Sequence, residues 1–295
     1  MSTQTTTCYR HPSRETGVAC SNCGRFICPD CMTPTPVGMR CPECSKQKTQ
    51  VRTISDISRS GAVQATTAII ALNVIVFLAS GQFNIGSGGT SGSLALRGEL
   101  YGPSIAEGHQ YYRLVTSGFL HAGLLHIGFN MYILWWLGNL LEPAIGKRRF
   151  VGLYFVSMLT GSIGALLVTP DSPTVGASGA IFGLMGVAFM EMRARGIDPM
   201  ASGIGPTILL NLVLSFTLSG ISIGGHIGGL VGGGLATLVL HELDKRRTKE
   251  LAVYAVLAVM ALAAAGGGIA VAKSNCGAGS FCKERAAFLD QLIKR

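Results

Sequence analysis

Seven long apolar stretches, separated by short polar breaks, occupy residues 62–272, and nothing in the chain limits its fold more. They run over about 62–80, 119–141, 150–169, 175–191, 204–220, 222–241 and 251–272. A bilayer core offers the backbone no hydrogen-bond partners, so a chain crossing it repeatedly does so as helices or as a closed barrel. Stretches near ~20 residues suit helices spanning a hydrocarbon layer of about 30 Å. The sequence predicts an all-α polytopic membrane protein. The fourth and fifth stretches are shorter and contain glycine, which suits helices packed inside a bundle. A count of six spans competes with seven.

Composition agrees: 13% of residues are charged, 48% are hydrophobic and the mean hydropathy is +0.43. Glycine, at 40 of 295 residues, shows no Gly-X-Y period, so a collagen-like fold is excluded. A net charge of +9 raises nucleic acid as a partner, but the placement of the charge argues against it. The Lys and Arg residues cluster in the breaks that follow stretches two, four and six. These are Lys147-Arg148-Arg149, Arg193 with Arg195, and Lys245-Arg246-Arg247 with Lys249. The breaks 170–174 and 219–222 carry none. Positive charge collects on the cytoplasmic side of membrane proteins, so the N-terminus is expected in the cytoplasm and the C-terminus outside. The tail over 273–295, with five cations, mildly breaks the rule. No apolar leader opens the chain at Met1–Thr7, which favours a cell membrane over an organelle.

Residues 1–46 differ in kind. They hold Cys8-x2-His11, Cys20-x2-Cys23, Cys28-x2-Cys31 and Cys41-x2-Cys44. Eight ligands at two-residue spacing suffice for two tetrahedral Zn2+ sites. So short a segment buries little core, and metal ligation would supply its folding free energy. Disulfides or an iron–sulfur cluster are the alternatives; a reducing cytoplasm opposes the first, and a ligand set with His opposes the second. The pattern resembles a B-box-type zinc finger, departing from it at Cys41 and Cys44. The resemblance implies interleaved pairing: Cys8, His11, Cys28 and Cys31 on one ion, and Cys20, Cys23, Cys41 and Cys44 on the other. Sequential pairing stays open. Four-ligand sites leave no open coordination position, so the metals are expected to be structural, with a cytosolic protein as an eventual partner of the module. A basic linker over 47–61 joins it to the membrane domain over 62–272. In the tail, Cys276 and Cys282 in an oxidising space would make either a small disulfide or two free thiols.

Polar groups inside a span are costly and point to function. Stretch two holds His121, His126 and Asn130, stretch four holds Ser178 and stretch six holds His226. With the orientation above, all three stretches enter from outside, which brings these groups to one leaflet. Serine becomes a nucleophile when a base takes its proton, and His226 can be that base. No acidic residue stands at that depth, so the predicted unit is a Ser–His dyad. His126, Asn130 and the Ser178 backbone N–H are candidate donors to the oxyanion. His121 is expected near the water interface, without a catalytic role. Gly179 with Gly183, and Gly225, Gly229 and Gly233, form small-residue faces on which two helices approach closely.

These motifs resemble those of the rhomboid intramembrane serine proteases. The carrying residues are Tyr112-Arg113, His126-x3-Asn130, Gly176-Ala177-Ser178-Gly179 with Phe182, and Gly225-His226 with Gly229 and Gly233. Glu142 resembles an acidic loop residue of the family, near Arg148. The resemblance implies a six-helix core with a seventh transmembrane helix appended, preceded by the small cytosolic module. It implies Ser178 as nucleophile, His226 as base, His126 and Asn130 at the oxyanion, and Phe182 orienting the His226 ring. It further implies transmembrane protein substrates, cut near the outer face, with no cofactor needed for catalysis. A catalytically silent relative that binds membrane proteins, and a transporter or channel with a zinc-binding adaptor, are the competing functions.

Overall fold

A computed structural model describes residues 6–35, 38–46, 63–85, 92–217, 220–276 and 280–294. The basic linker over 47–61 lies outside them. The chain divides into two compact units, 1–62 and 63–295.

The described residues of the first unit hold little regular structure. Among them are a 3-10 turn (Pro29–Cys31), an antiparallel pair of strands, β1 (Thr33–Thr35) and β2 (Gly38–Arg40), and one short helix, α1 (Pro42–Lys46). Its interior consists of Ile27 and six cysteines, all nearly inaccessible. One aliphatic side chain cannot hold such a fold by burial alone, since a full hydrophobic side chain contributes about 1.5–3 kcal/mol.

The second unit is helical. Each of the seven apolar stretches forms a helix: α2 (Gln64–Ser80), α6 (Leu124–Ile145), α7 (Lys147–Val168), α8 (Ser178–Ala194), α9 (Ile204–Thr217), α10 (Ile223–Lys245) and α11 (Glu250–Cys276). Between α2 and α6 lie the short helices α3 (Ser93–Gly98), α4 (Gly102–Ala106) and α5 (Arg113–Thr116), and α12 (Ser280–Lys294) closes the chain. By length and composition α6, α7, α10 and α11 can each cross a membrane; α2 and α9 are apolar but shorter. The protein is thus a mostly helical, multi-pass membrane protein.

Helices α7, α8 and α10 pack mutually at the centre, with α11 on the outer side of α7. Glycine decides how closely. A Cβ at Gly229 would collide with the Gly179 carbonyl, one at Gly233 with the Gly183 carbonyl, and one at Gly224 with the Gly164 carbonyl. The backbones touch directly, as the two small-residue faces predicted for α8 and α10. Every residue of α8 from Ala180 to Ala188 is buried. Helix α9 does not match its predicted place inside the bundle. Only Ile204, Gly205 and Ser215 are buried on it, while Leu209, Leu210 and Phe216 are well exposed. Its leucines face outward because the glycine seam has already closed the core without it.

One end of the bundle is tied by charge. Arg149 at the start of α7 donates to Asp244 at the end of α10 (2.7 Å) and to Glu250 at the start of α11 (2.6 Å). His241 of α10 meets Glu191 of α8 at 2.8 Å. The basic clusters of the sequence therefore gather at one end of the bundle. Glu142 lies inside α6, not in a loop, and is buried. Its carboxylate accepts from the Ala65 and Thr66 backbone N–H groups at 2.9 Å and from the Thr66 hydroxyl at 2.7 Å. It caps the start of α2, where the first N–H groups have no partner within the helix. Arg148 instead stacks over the Tyr254 ring.

The C-terminal segment is more than a tail. Helix α12 rests on α3 and α4, Arg285 pairs with Asp171 at 3.5 Å, and Gln110 donates to Asp290 at 3.4 Å. Cys276 and Cys282 form a disulfide, with Cα atoms 5.6 Å apart, that joins α11 to α12.

Candidate active site

The end of the bundle opposite the ionic ties holds the starts of α6, α8 and α10. Gly176 there has φ +128°, a conformation that favours glycine, and its N–H donates to the Ser117 carbonyl at 2.9 Å. The chain turns sharply and α8 begins at Ser178. A Cβ on Gly176 would lie 2.8 Å from His126 Nε2, so this glycine also makes room for the imidazole. Ser178 therefore opens its helix instead of lying a turn inside it, where the sequence put it. His126 is the third residue of α6 and His226 the fourth of α10. All three stand at helix starts, where the unpaired N–H groups and the helix dipole favour negative charge.

The Ser178 hydroxyl lies 2.8 Å from His226 Nε2. The Phe182 ring, one turn along α8, stacks on the His226 imidazole with centroids 4.0 Å apart and planes 15° from parallel. The two facing residues come from helices whose spacing is set by backbone contact at Gly179 and Gly229, a turn or less from each. The sequence anticipated that pair. It did not anticipate the other side of the ring, where the Ser215 hydroxyl lies 2.6 Å from His226 Nδ1. A lone serine in an apolar helix carries no signal of such a role.

His126 Nδ1 accepts from the Ala122 N–H at 3.4 Å, which leaves Nε2 to carry the proton of the neutral ring. That nitrogen points at Gly176. Asn130 is buried, and its amide donates to the His126 carbonyl at 2.8 Å, with one N–H left over. Among the described residues no hydrogen bond joins Asn130 to Ser178. His121 is not at the water interface. It is fully buried in the loop before α6, its ring centroid 5.1 Å from that of His126. Helix α6 starts later than expected, after an extended Gly123, and the loop folds His121 inward. Of the Tyr112-Arg113 pair, Tyr112 is half exposed. Arg113 is fully buried, donating to Gln110 at 2.6 Å and to the Glu99 carbonyl at 2.8 Å.

In the first unit the ligands fall into two groups, Cys8, His11, Cys28, Cys31 and Cys20, Cys23, Cys41, Cys44, with the ligand atoms of each within 4.8 Å of one another. This is the interleaved arrangement. A tetrahedral ion with metal–sulfur bonds of about 2.3 Å has S–S edges of about 3.8 Å and N–S edges of about 3.6 Å. Cys23 and Cys41 are 3.8 Å apart, and His11 Nδ1 lies 3.3, 3.5 and 3.9 Å from Cys28, Cys31 and Cys8. The residues fit a metal ion in each group. Arg25 Nε donates to the Cys23 sulfur at 3.4 Å and lowers the pKa of that thiol, and the Cys41 N–H donates to the Cys20 sulfur at 3.3 Å. Donors of this kind orient the ligands and stabilise thiolate charge.

Fold and site together define a class: multi-pass helical membrane proteins in which a serine and a histidine from separate helices face each other near one end of the bundle. A family model described as the Rhomboid domain matches residues 108–243. The putative rhomboid protease YdcA of Bacillus subtilis is 38% identical over 151 residues, 50% of this chain and 75% of that protein. Rhomboid protease GluP of the same organism is 35% identical over 198 residues, 66% of this chain but 38% of GluP. Inactive RHOMBOID-like protein 8 of Arabidopsis thaliana is 33% identical over 99 residues, 34% of this chain and 28% of that protein. The chain belongs to the rhomboid family of intramembrane proteases, and it spans well under half the length of GluP.

Proposed function

We propose that this protein is an intramembrane serine endopeptidase that cuts transmembrane protein substrates near the outer membrane face. The observation that carries the reading is the 2.8 Å contact between Ser178 Oγ and His226 Nε2. In this mechanism the Ser178 oxygen attacks the scissile carbonyl carbon while its proton passes to His226 Nε2. The oxyanion meets the His126 Nε2–H and the Ser178 backbone N–H, with Asn130 supporting His126 through its carbonyl. Collapse expels the amine, which takes the proton from His226, and water then hydrolyses the acyl-serine by the same route. Phe182, flat against the imidazole, keeps Nε2 aimed at Ser178.

The positive-inside pattern supports placing the charge-tied end of the bundle in the cytoplasm and the Ser178 end outside, in a cell membrane. A substrate helix hides its carbonyls in its own hydrogen bonds, so segments that unwind easily near that surface are the expected targets. Zn2+ is the metal we assign to the two N-terminal groups, where it would hold the module folded. Purified full-length protein, incubated in liposomes with a model transmembrane substrate, tests the function. Ser178→Ala and His226→Ala should each abolish cleavage while retaining the wild-type melting profile, and His126→Ala should lower kcat by about 10²–10³-fold. Undiminished cleavage by Ser178→Ala would refute the assignment. No cleavage by the wild-type protein of any of a panel of membrane substrates would favour a silent binding protein; the Arabidopsis relative is named as inactive.

A further inference from the structure

Ser215 stands near the end of α9 with its hydroxyl 2.6 Å from His226 Nδ1, the ring nitrogen that faces away from Ser178. The same hydroxyl lies 2.7 Å from the Asn211 carbonyl one turn back. Ser215 is 2% exposed, while its neighbours Leu214 and Phe216 are 39% and 67% exposed. On this stretch of α9, the serine alone turns inward.

One group sets the direction of every bond in this chain. A carbonyl only accepts, so the Ser215 proton goes to Asn211, and a lone pair of the hydroxyl is left for His226 Nδ1. The neutral imidazole then carries its proton on Nδ1 and presents a bare Nε2 to the Ser178 hydroxyl. The reverse arrangement has Ser215 donating to Nδ1. It would abandon the Asn211 contact and put an N–H opposite Ser178, where it could accept no proton.

We propose that Ser215 is a positioning residue for peptide-bond cleavage. It holds His226 in the tautomer that can act as base and accepts from the imidazolium once the Ser178 proton has moved. The proposal rests on Ser178 and His226 being nucleophile and base. Soluble serine hydrolases give this place to a buried carboxylate. A charge is costly among membrane helices, and a hydroxyl whose own proton is tied to a helix carbonyl offers an acceptor without one. The other groups around the ring do not compete for the role. Phe182 covers a face, Ser178 is at Nε2, and His126 from α6, the one ionisable neighbour among the described residues, lies on the Gly176 side.

The test uses full-length protein in detergent, with Ser215→Ala, Ser215→Thr and Ser178→Ala. Ser215→Ala should lower kcat about tenfold, the scale of one hydrogen bond, with KM within about twofold. It should also move the acid limb of the kcat/KM–pH profile to lower pH, because the imidazolium loses an acceptor. Ser215→Thr keeps the hydroxyl and should restore both. Nitrogen-15 NMR of the His226 ring, identified by its absence in His226→Gln, should give the Nδ1–H tautomer in the wild type and the Nε2–H tautomer in Ser215→Ala. A lowered kcat with limb and tautomer unmoved reduces Ser215 to packing and overturns the proposal. So does an Nε2–H ring in the wild type, a result that needs no variant to fold. Undiminished cleavage by Ser178→Ala defeats the nucleophile assignment instead, and the ring's tautomer still judges Ser215 separately.

Discussion

The glycine seam makes the sharpest demand on the reasoning. In Gly229→Ala the new methyl would sit well inside contact distance of the Gly179 carbonyl, where ordinary contact begins near 3.4 Å. A backbone oxygen cannot swing aside as a side-chain tip can. Helices α8 and α10 must therefore part by about an ångström or more, since overpacking forces backbone shifts. Gly179 adjoins Ser178, and Gly229 lies three residues from His226, so the 2.8 Å hydrogen bond between them lengthens with the seam. A misplacement of about 1 Å costs about 100-fold in rate, equivalent to about 2.7 kcal/mol. Gly234, on the same helix, is the control: a Cβ there meets nothing within 4 Å. Initial rates on a transmembrane substrate in liposomes, alongside thermal unfolding, should show Gly229→Ala about 100-fold slower and Gly234→Ala within twofold of wild type. Equal rates for the two variants would refute the claim that main-chain contact sets the position of the reacting groups.

Three further outcomes are expected. Glu142→Ala removes the acceptor of three buried donors at the start of α2, and should destabilise the helical unit by about 2–4 kcal/mol, read as an earlier thermal transition in detergent. In the N-terminal unit, elemental analysis should give about two zinc ions per chain, from eight ligands at four per ion. Binding requires deprotonated thiols, so acidification should release the metal and unfold the unit, whereas raising the pH from neutrality should not. Circular dichroism of residues 1–62 with and without a chelator measures this.

How far the sequence could be read follows from the cost of polarity in lipid. Ser178, His126 and His226 stand out because apolar surroundings make each of them expensive, and the Cys-x2-Cys spacing stands out because few other roles use it. Ser215 did not, because a serine bonded to the carbonyl one turn back is ordinary in an apolar helix, and only the folded chain brings His226 to it. Glu142 was placed in a loop by its resemblance to an acidic loop residue of the family, just past the stretch ending at 141; its partners on α2 lie 76 and 77 residues away. Helix α12 was missed for another reason. Its apolar residues do recur at helical spacing, with Cys282, Ala286 and Leu289 buried against the neighbouring elements, but its polar face keeps it from standing out beside the long apolar stretches. Helix starts were displaced by extended or left-handed glycines at 123 and 176, which hydropathy does not register.

Main-chain contact along α7, α8 and α10 has a consequence for the lipid around them. Side chains between helices can be squeezed or re-packed when a bilayer thins or thickens, but carbonyl against Cα has no slack to give. Mechanical stress from the membrane should therefore fall first on the periphery, above all on α9, which buries only Ile204, Gly205 and Ser215. Changes in lipid should reach Ser178 and His226 through the hydroxyl that α9 contributes, before they alter the tripod of helices that carries the pair.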